Sequence, residues 1–268
     1  LNPISAIEPS APQLVWQLDR SEPAPAVAIE LDSSQQRVVA HRHGALLVLA
    51  GPGTGKTATL TEAVVQRLTG DESLQASEVL VLTFARKATG EIRDRIMARL
   101  GGGLVPTVCT FHSLALGIVR EFDPRLAGDG RQLSLLTAPE QELRVRELLQ
   151  GVVEVRNAVA RVRSLGVSVE QLAAAAKGNP EWRAVAALLE QYLESIEGQA
   201  LLDYNELICR ALDLTSQPEV AAALRARYRA VFVDEYQDTD PLQIRLLQNL
   251  VAPDATLIAV GDPDQSIY

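Results

Sequence analysis

Three short stretches hold the residues best suited to chemistry. The first, "LVLAGPGTGKTATL", presents Gly53, Thr54, Gly55, Lys56 and Thr57 between an apolar run and a helix-like segment. Glycines let backbone N–H groups turn toward an oxyanion without a Cβ in the way. The start of the following helix adds unpaired donors and partial positive charge. In such a loop the Lys56 ammonium reaches the β- and γ-phosphates of a nucleotide, and the Thr57 hydroxyl binds Mg²⁺. The usual pattern has glycine six residues before the lysine; here that position is Ala50, followed by Gly51.

The second stretch, "AVFVDEYQD", ends an apolar run on Asp234 and Glu235. Ligands bind at the carboxyl ends of parallel strands. Adjacent carboxylates point in different directions, so Asp234 is assigned to the metal and Glu235 to aligning or deprotonating an attacking water. The third stretch, "ATLIAVGDPDQSIY", again runs from apolar residues into carboxylates, a glutamine and a tyrosine. Together these imply a Mg–triphosphate site in which the glycine cradle and the acidic corner face each other across neighbouring strands.

The elements that must position these residues alternate. "GALLVLAG" reads as a strand buried on both faces, followed by a helix over "KTATLTEAVVQRLTG" that stops at Gly70. "SEVLVLTF" and "VPTVCTF" are further strands, each followed by a helix, and "AVFVDEY" and "ATLIAVGD" restore the strands near the end. This alternation predicts an α/β fold with a parallel sheet flanked by helices. Residues 121–200 break the rhythm. Their spacing is helical throughout, which predicts an all-helical insertion between a first α/β part at 31–120 and a second at 201–268. Residues 1–30 contain Pro3, Pro9, Pro12, Pro23 and Pro25 with no regular period, and read as a flexible arm or linker.

Composition narrows the classes. The 268 residues are 47% hydrophobic and 22% charged, as in globular proteins. No apolar stretch reaches the roughly 20 residues that span a bilayer, and the N-terminus lacks the pattern of a signal peptide, so the expected location is the cytoplasm. Cys109 and Cys209 lie far apart and read as free thiols rather than a metal site. The formal net charge of −9 argues against a nucleic-acid partner as a whole-chain average, but binding depends on where positive charge sits. Arg86, Lys87, Arg93, Arg95 and Arg99 outnumber Glu91 and Asp94 in one local stretch.

The order of these pieces resembles the UvrD, Rep and PcrA-like superfamily 1A DNA helicases, with RecB-type motors as cousins. The resemblance runs from Leu31 to Tyr268 and is carried by "LDSSQQ", "AGPGTGKT", "LTFARKAT", "TFHSLA", "VDEYQDTD" and "VGDPDQSIY". It implies a RecA-like P-loop NTPase fold with a helical subdomain inserted. Gln35 becomes the amide that reads adenine, and Gln265 a sensor of the γ-phosphate. Thr83, Phe84, Arg86, Lys87, Thr110, Phe111, His112 and Tyr268 become contacts to single-stranded DNA. Aromatic faces stack on any base, although Phe84, Phe111 and Tyr268 taken alone are equally at home in a core. Arg86 stands where the family usually has Asn.

The implied function is the ATP-binding half of a 3′-to-5′ motor acting on single strands and strand junctions in DNA repair or recombination. The implied cofactors are ATP and Mg²⁺. A second RecA-like domain, in cis or from a partner subunit, is needed to complete the site, so the chain alone is expected to be nearly inactive. The alternative is a structural, motor-like subunit of a heterodimeric helicase–nuclease. A different strand–helix ATPase, such as a transporter ATPase, fits Gln265 and "TFHS" poorly.

Overall fold

The computed structural model describes residues 30–70, 74–103, 105–124, 134–136, 140, 143, 158–159, 161–163, 165–197 and 201–266. The proposed arm, most of the first half of the insertion and Tyr268 lie outside these residues.

Apolar strands joined through helices give a five-stranded sheet in which every pairing is parallel. Its strands are β1 (Gly44–Leu49), β2 (Val79–Thr83), β3 (Thr107–Thr110), β6 (Ala230–Val233) and β7 (Thr256–Gly261), in the order β1-β7-β6-β2-β3. The residues of β6 are all at 0% exposure, as a central strand requires.

Alternation of side chains across the sheet sorts the core into two halves. Leu80, Leu82, Val231 and Val233 point to one face, where they meet α4 (Phe111–Phe122), α7 (Tyr204–Thr215), α8 (Pro218–Arg227) and α9 (Pro241–Leu250). Val79, Val81, Phe232, Ile258 and Val260 point to the other, against α1 (Ser33–Ala40), α2 (Lys56–Thr69) and α3 (Arg86–Leu100).

β1 is an edge strand and is not buried on both faces. Leu46 and Val48 pack under the helices α1 and α2, whereas Leu47 and Leu49 on the opposite face are 53% and 65% exposed. A continuous apolar run cannot distinguish a central strand from an edge strand whose outer face is also apolar.

Among the described residues, the insertion contains α5 (Val169–Ala175) and α6 (Pro180–Glu197). It is not wholly helical. Ser134–Leu135 forms a two-residue strand, β4, parallel to β5 (Leu201–Leu202). The backbone entering the insertion and the backbone leaving it run side by side, and each satisfies the other's N–H and C=O groups. A buried polar knot reinforces the junction. Asp203 caps α7 by accepting from the Glu206 N–H at 2.8 Å, and also accepts from Arg163 Nη2 at 2.7 Å and the Tyr192 hydroxyl at 2.6 Å. Arg163 and Tyr192 come from the insertion, so one carboxylate ties the insertion to the α/β body.

Candidate nucleotide and strand-binding site

The phosphate loop owes its shape to glycine. Gly53 and Gly55 adopt φ values of 74° and 80°, a region hostile to other residues, and α2 starts at Lys56 directly after them. The Lys56 ammonium donates to the carbonyls of Ala50 at 3.0 Å and Gly51 at 3.3 Å, and lies 3.6 Å from the buried Asp262 carboxylate. The Thr57 hydroxyl donates to Asp234 at 3.3 Å. Thr54 is exposed, and its hydroxyl donates back to the Gly51 carbonyl at 2.8 Å.

The strands carrying Lys56 and Asp234 are not neighbours, contrary to the sequence expectation: β7 lies between β1 and β6. The two sites still meet because the loop crosses over the end of β7. Lys56 sits against Asp262, just past β7, and Thr57 reaches on to Asp234, just past β6.

Asp234 has the environment expected of a metal ligand. It is 3% exposed, and its Oδ1 has no hydrogen-bond partner among the described residues. Burial, then repulsion from Glu235, pushes its carboxyl up to about 6, against opposing contributions from the Thr57 hydroxyl and Lys56. A divalent cation held between Asp234 and Thr57 would satisfy the orphaned oxygen and compensate the buried charge. The described residues contain no group of three His, Cys, Asp or Glu arranged to hold a metal. The two oxygen ligands at hand suit a Mg²⁺ that takes its remaining ligands from water and phosphate.

Glu235 takes a left-handed conformation at φ 53°, the only positive φ among the described non-glycine residues. Such a conformation costs about 1–2 kcal/mol. Gln237 holds the Glu235 side chain, donating from Nε2 to Glu235 Oε2 at 2.7 Å. The other end of the same amide accepts the Asp262 N–H at 2.9 Å. A Cβ on Gly261 would come within 2.7 Å of that amide oxygen, so glycine is needed for the approach. Gln265 donates to Asp262, which faces Lys56. Lys56, Asp262, Gln265 and Gln237 thus form one connected network.

Gln35 is placed beside the loop. Its amide nitrogen donates to the Thr54 carbonyl at 3.0 Å and its oxygen accepts the Asp32 N–H at 2.9 Å, which closes the capping box of α1. Both ends of this amide are therefore engaged within the protein, and reading a base requires it to exchange one of them.

The predicted strand contacts divide. Phe84, Arg86, Thr110 and His112 line one open pocket of about 290 Å³. Burial lowers the His112 pKa, and nearby Arg86 lowers it further against the pull of Asp240, so the ring is neutral near pH 7. Phe111 does not reach this pocket. It is 2% exposed and packs in the core, because it opens α4 on that helix's inward face. Thr83 is 1% exposed and bonds to Thr89, and Thr110 bonds to Ser113 as the cap of α4. Lys87 is exposed and pairs loosely with Glu91. Elsewhere in the local positive stretch, Arg99 pairs with Glu62 at 2.6 Å and Arg93 donates to the Val108 carbonyl. These two arginines hold α3 to its neighbours instead of forming a free basic face.

Sequence reasoning missed three residues. Asp262 and Gln237 sit inside the acidic motifs, where a further carboxylate just past a strand end was the available signal. Tyr204 stands with its ring edge-on to His112, centroids 5.0 Å apart, and lines the same pocket. It lies 92 positions away in sequence, and nothing local marked it.

Comparison with known proteins gives the family. Residues 31–268 match the family described as the UvrD/REP helicase N-terminal domain. The chain belongs to this family. The chain is 31% identical, over 95% of its length, to the ATP-dependent DNA helicase UvrD1 of Mycobacterium tuberculosis, covering 36% of that protein. It is 28% identical, over 91% of its length, to the ATP-dependent DNA helicase PcrA of Staphylococcus aureus, covering 34%. The chain therefore spans about a third of these UvrD/REP relatives. The five-stranded parallel sheet with helices on both faces is the α/β core of such a domain. Among the described residues no helix is long and apolar enough to cross a membrane.

Proposed function

We propose that the chain is the ATP-binding half of a motor that translocates 3′-to-5′ on single-stranded DNA and opens strand junctions during DNA repair or recombination. The observation that carries this is the convergence of Lys56, Thr57 and Asp234 above the ends of β7 and β6, with one Asp234 oxygen buried and unpartnered. Lys56 and the loop N–H groups hold the β- and γ-phosphates. Thr57 and Asp234 hold Mg²⁺, which supplies charge neutralisation at the phosphate oxygens. Glu235, fixed by Gln237, orients the attacking water and accepts its proton. Gln265 senses the γ-phosphate through its contact with Asp262. Gln35 contributes to adenine recognition by exchanging its bond to Thr54.

Single-stranded DNA lies over the pocket of Phe84, Arg86, His112 and Tyr204, with Arg86 and Lys87 at phosphates and the aromatic rings against bases. Tyr268 belongs to the same reading. Thr83, Thr110 and Phe111 support this surface from below. The intact set of Lys56, Thr57, Asp234 and Glu235 speaks against a purely structural subunit.

A second RecA-like domain, from the longer protein or from a partner, supplies the arginines that stabilise the transition state. Such arginines are worth roughly 10³–10⁵ in rate. The isolated chain therefore binds nucleotide and hydrolyses almost none of it. In the full-length protein, Lys56→Ala abolishes DNA-stimulated ATP hydrolysis and unwinding. DNA-stimulated turnover at the parent rate in that variant would overturn the assignment.

A further inference from the structure

The end of the sheet opposite the phosphate loop also carries a cavity. β1, β6 and β7 begin there at Gly44, Ala230 and Thr256. The cavity has a volume of about 320 Å³ and draws arginines from four separate places in the chain. Arg42 comes from the turn before β1, Arg67 from the last turn of α2, Arg225 from the last turn of α8, and Arg229 from the residue before β6. Among the described residues, Asp254 is the one carboxylate in the lining, and Glu78 approaches Arg229 from the side at 3.4 Å.

Each guanidinium is anchored. Arg42 donates to the Val39 carbonyl at 2.7 Å, Arg67 to Thr256 Oγ1 at 3.1 Å and to the His41 carbonyl, and Arg225 Nε to the Asn249 carbonyl at 2.9 Å. These partners are mostly carbonyls at helix ends, which offset part of the positive charge. They do not exhaust it. A guanidinium has five donors. Among the described residues, the hydrogen bonds of Arg42, Arg225 and Arg229 engage a single nitrogen of each. Arg42, Arg225 and Arg229 therefore present oriented, partly unfilled donors in a chain whose net charge is −9. All four are arginines and none is a lysine. The planar fork of arginine matches phosphate oxygens two at a time.

We propose that this cavity binds a compact oligophosphate, with neighbouring phosphate groups spanning the Arg42 side and the Arg225–Arg229 side. The cavity lies at the small end of the range for ligand pockets, which favours a short phosphate chain over a nucleic-acid strand. It is independent of the phosphate loop and does not rest on the motor assignment.

The test uses the full-length protein with Lys56→Ala, which silences the phosphate loop. Titration calorimetry with inorganic pyrophosphate should show saturable binding at one site. Adding Arg225→Gln and Arg229→Gln should weaken it by at least about tenfold. Both side chains are exposed, and an unchanged melting temperature in that triple variant establishes that the fold is intact. A parallel titration with a short single-stranded oligonucleotide separates the two sources of phosphate. The proposal is overturned by absence of pyrophosphate binding in Lys56→Ala, by equal binding with and without the two glutamines, or by a cavity that takes only the oligonucleotide.

Discussion

In the proposed site, Asp234 sets metal binding against stability. Its folded carboxyl titrates near 6, above the ordinary value of 3.8, because burial and Glu235 disfavour the charge. The native state therefore holds the proton more tightly than the unfolded chain. Stability falls as pH rises from about 4 to about 6, and the cost of the buried charge persists above that range. Asp234→Asn removes the charge in nearly the same shape. It is expected to stabilise the metal-free protein by about 1–3 kcal/mol near pH 8, and to change little near pH 4. Thermal melts in chelator at the two pH values check this, and an equal effect at both would refute it. The same variant should lose Mg²⁺-dependent nucleotide binding. Gly261 is a second such position. Gly261→Ala must displace Gln237, so it should lower ATP turnover in the full-length protein and cost about 1–3 kcal/mol of stability. A variant with parent turnover would show that Gln237 does not hold Glu235 in its working position.

At the scale of elements, the knot at Asp203 joins two parts of the chain that local sequence patterns kept apart. The carboxylate is fully buried and receives an arginine, a tyrosine and a helix N–H. Burial and the adjacent Asp203 charge raise the Tyr192 pKa, so its hydroxyl remains a donor. Asp203→Ala strands the Arg163 charge and should cost about 3–5 kcal/mol. Tyr192→Phe removes a single hydrogen bond to a charged group and should cost about 1.5–3 kcal/mol. Denaturant melts of both variants decide this, and the idea fails if the order is reversed.

Much of the α/β body was legible because glycine-bounded apolar runs and helical spacing are local signals. The phosphate loop and the Asp234 corner were legible for the same reason. The inward turn of Phe111, the edge position of β1 and the pairing of His112 with Tyr204 were not. Each depends on what packs against the residue from far along the chain, and periodicity carries no such information.

Across the whole molecule, the sheet divides two cores that are closed over its centre and open at one edge. Leu82 is fully buried at the centre, whereas Leu49 is 65% exposed on β1. Leu82→Ala should therefore cost about 2–5 kcal/mol, and Leu49→Lys should stay within about 0.5 kcal/mol. Equal losses in the isolated chain would mean that the outer face of β1 is covered in solution. The basic cavity and the phosphate loop lie at opposite ends of the same strands, so ligands at the two should bind without excluding each other.

Lys56 and Thr57 are joined by a single peptide bond, yet one touches the turn after β7 and the other the turn after β6. The start of α2 therefore works like a yoke. A phosphate that displaced the start of α2 would bear on both turns through these two contacts.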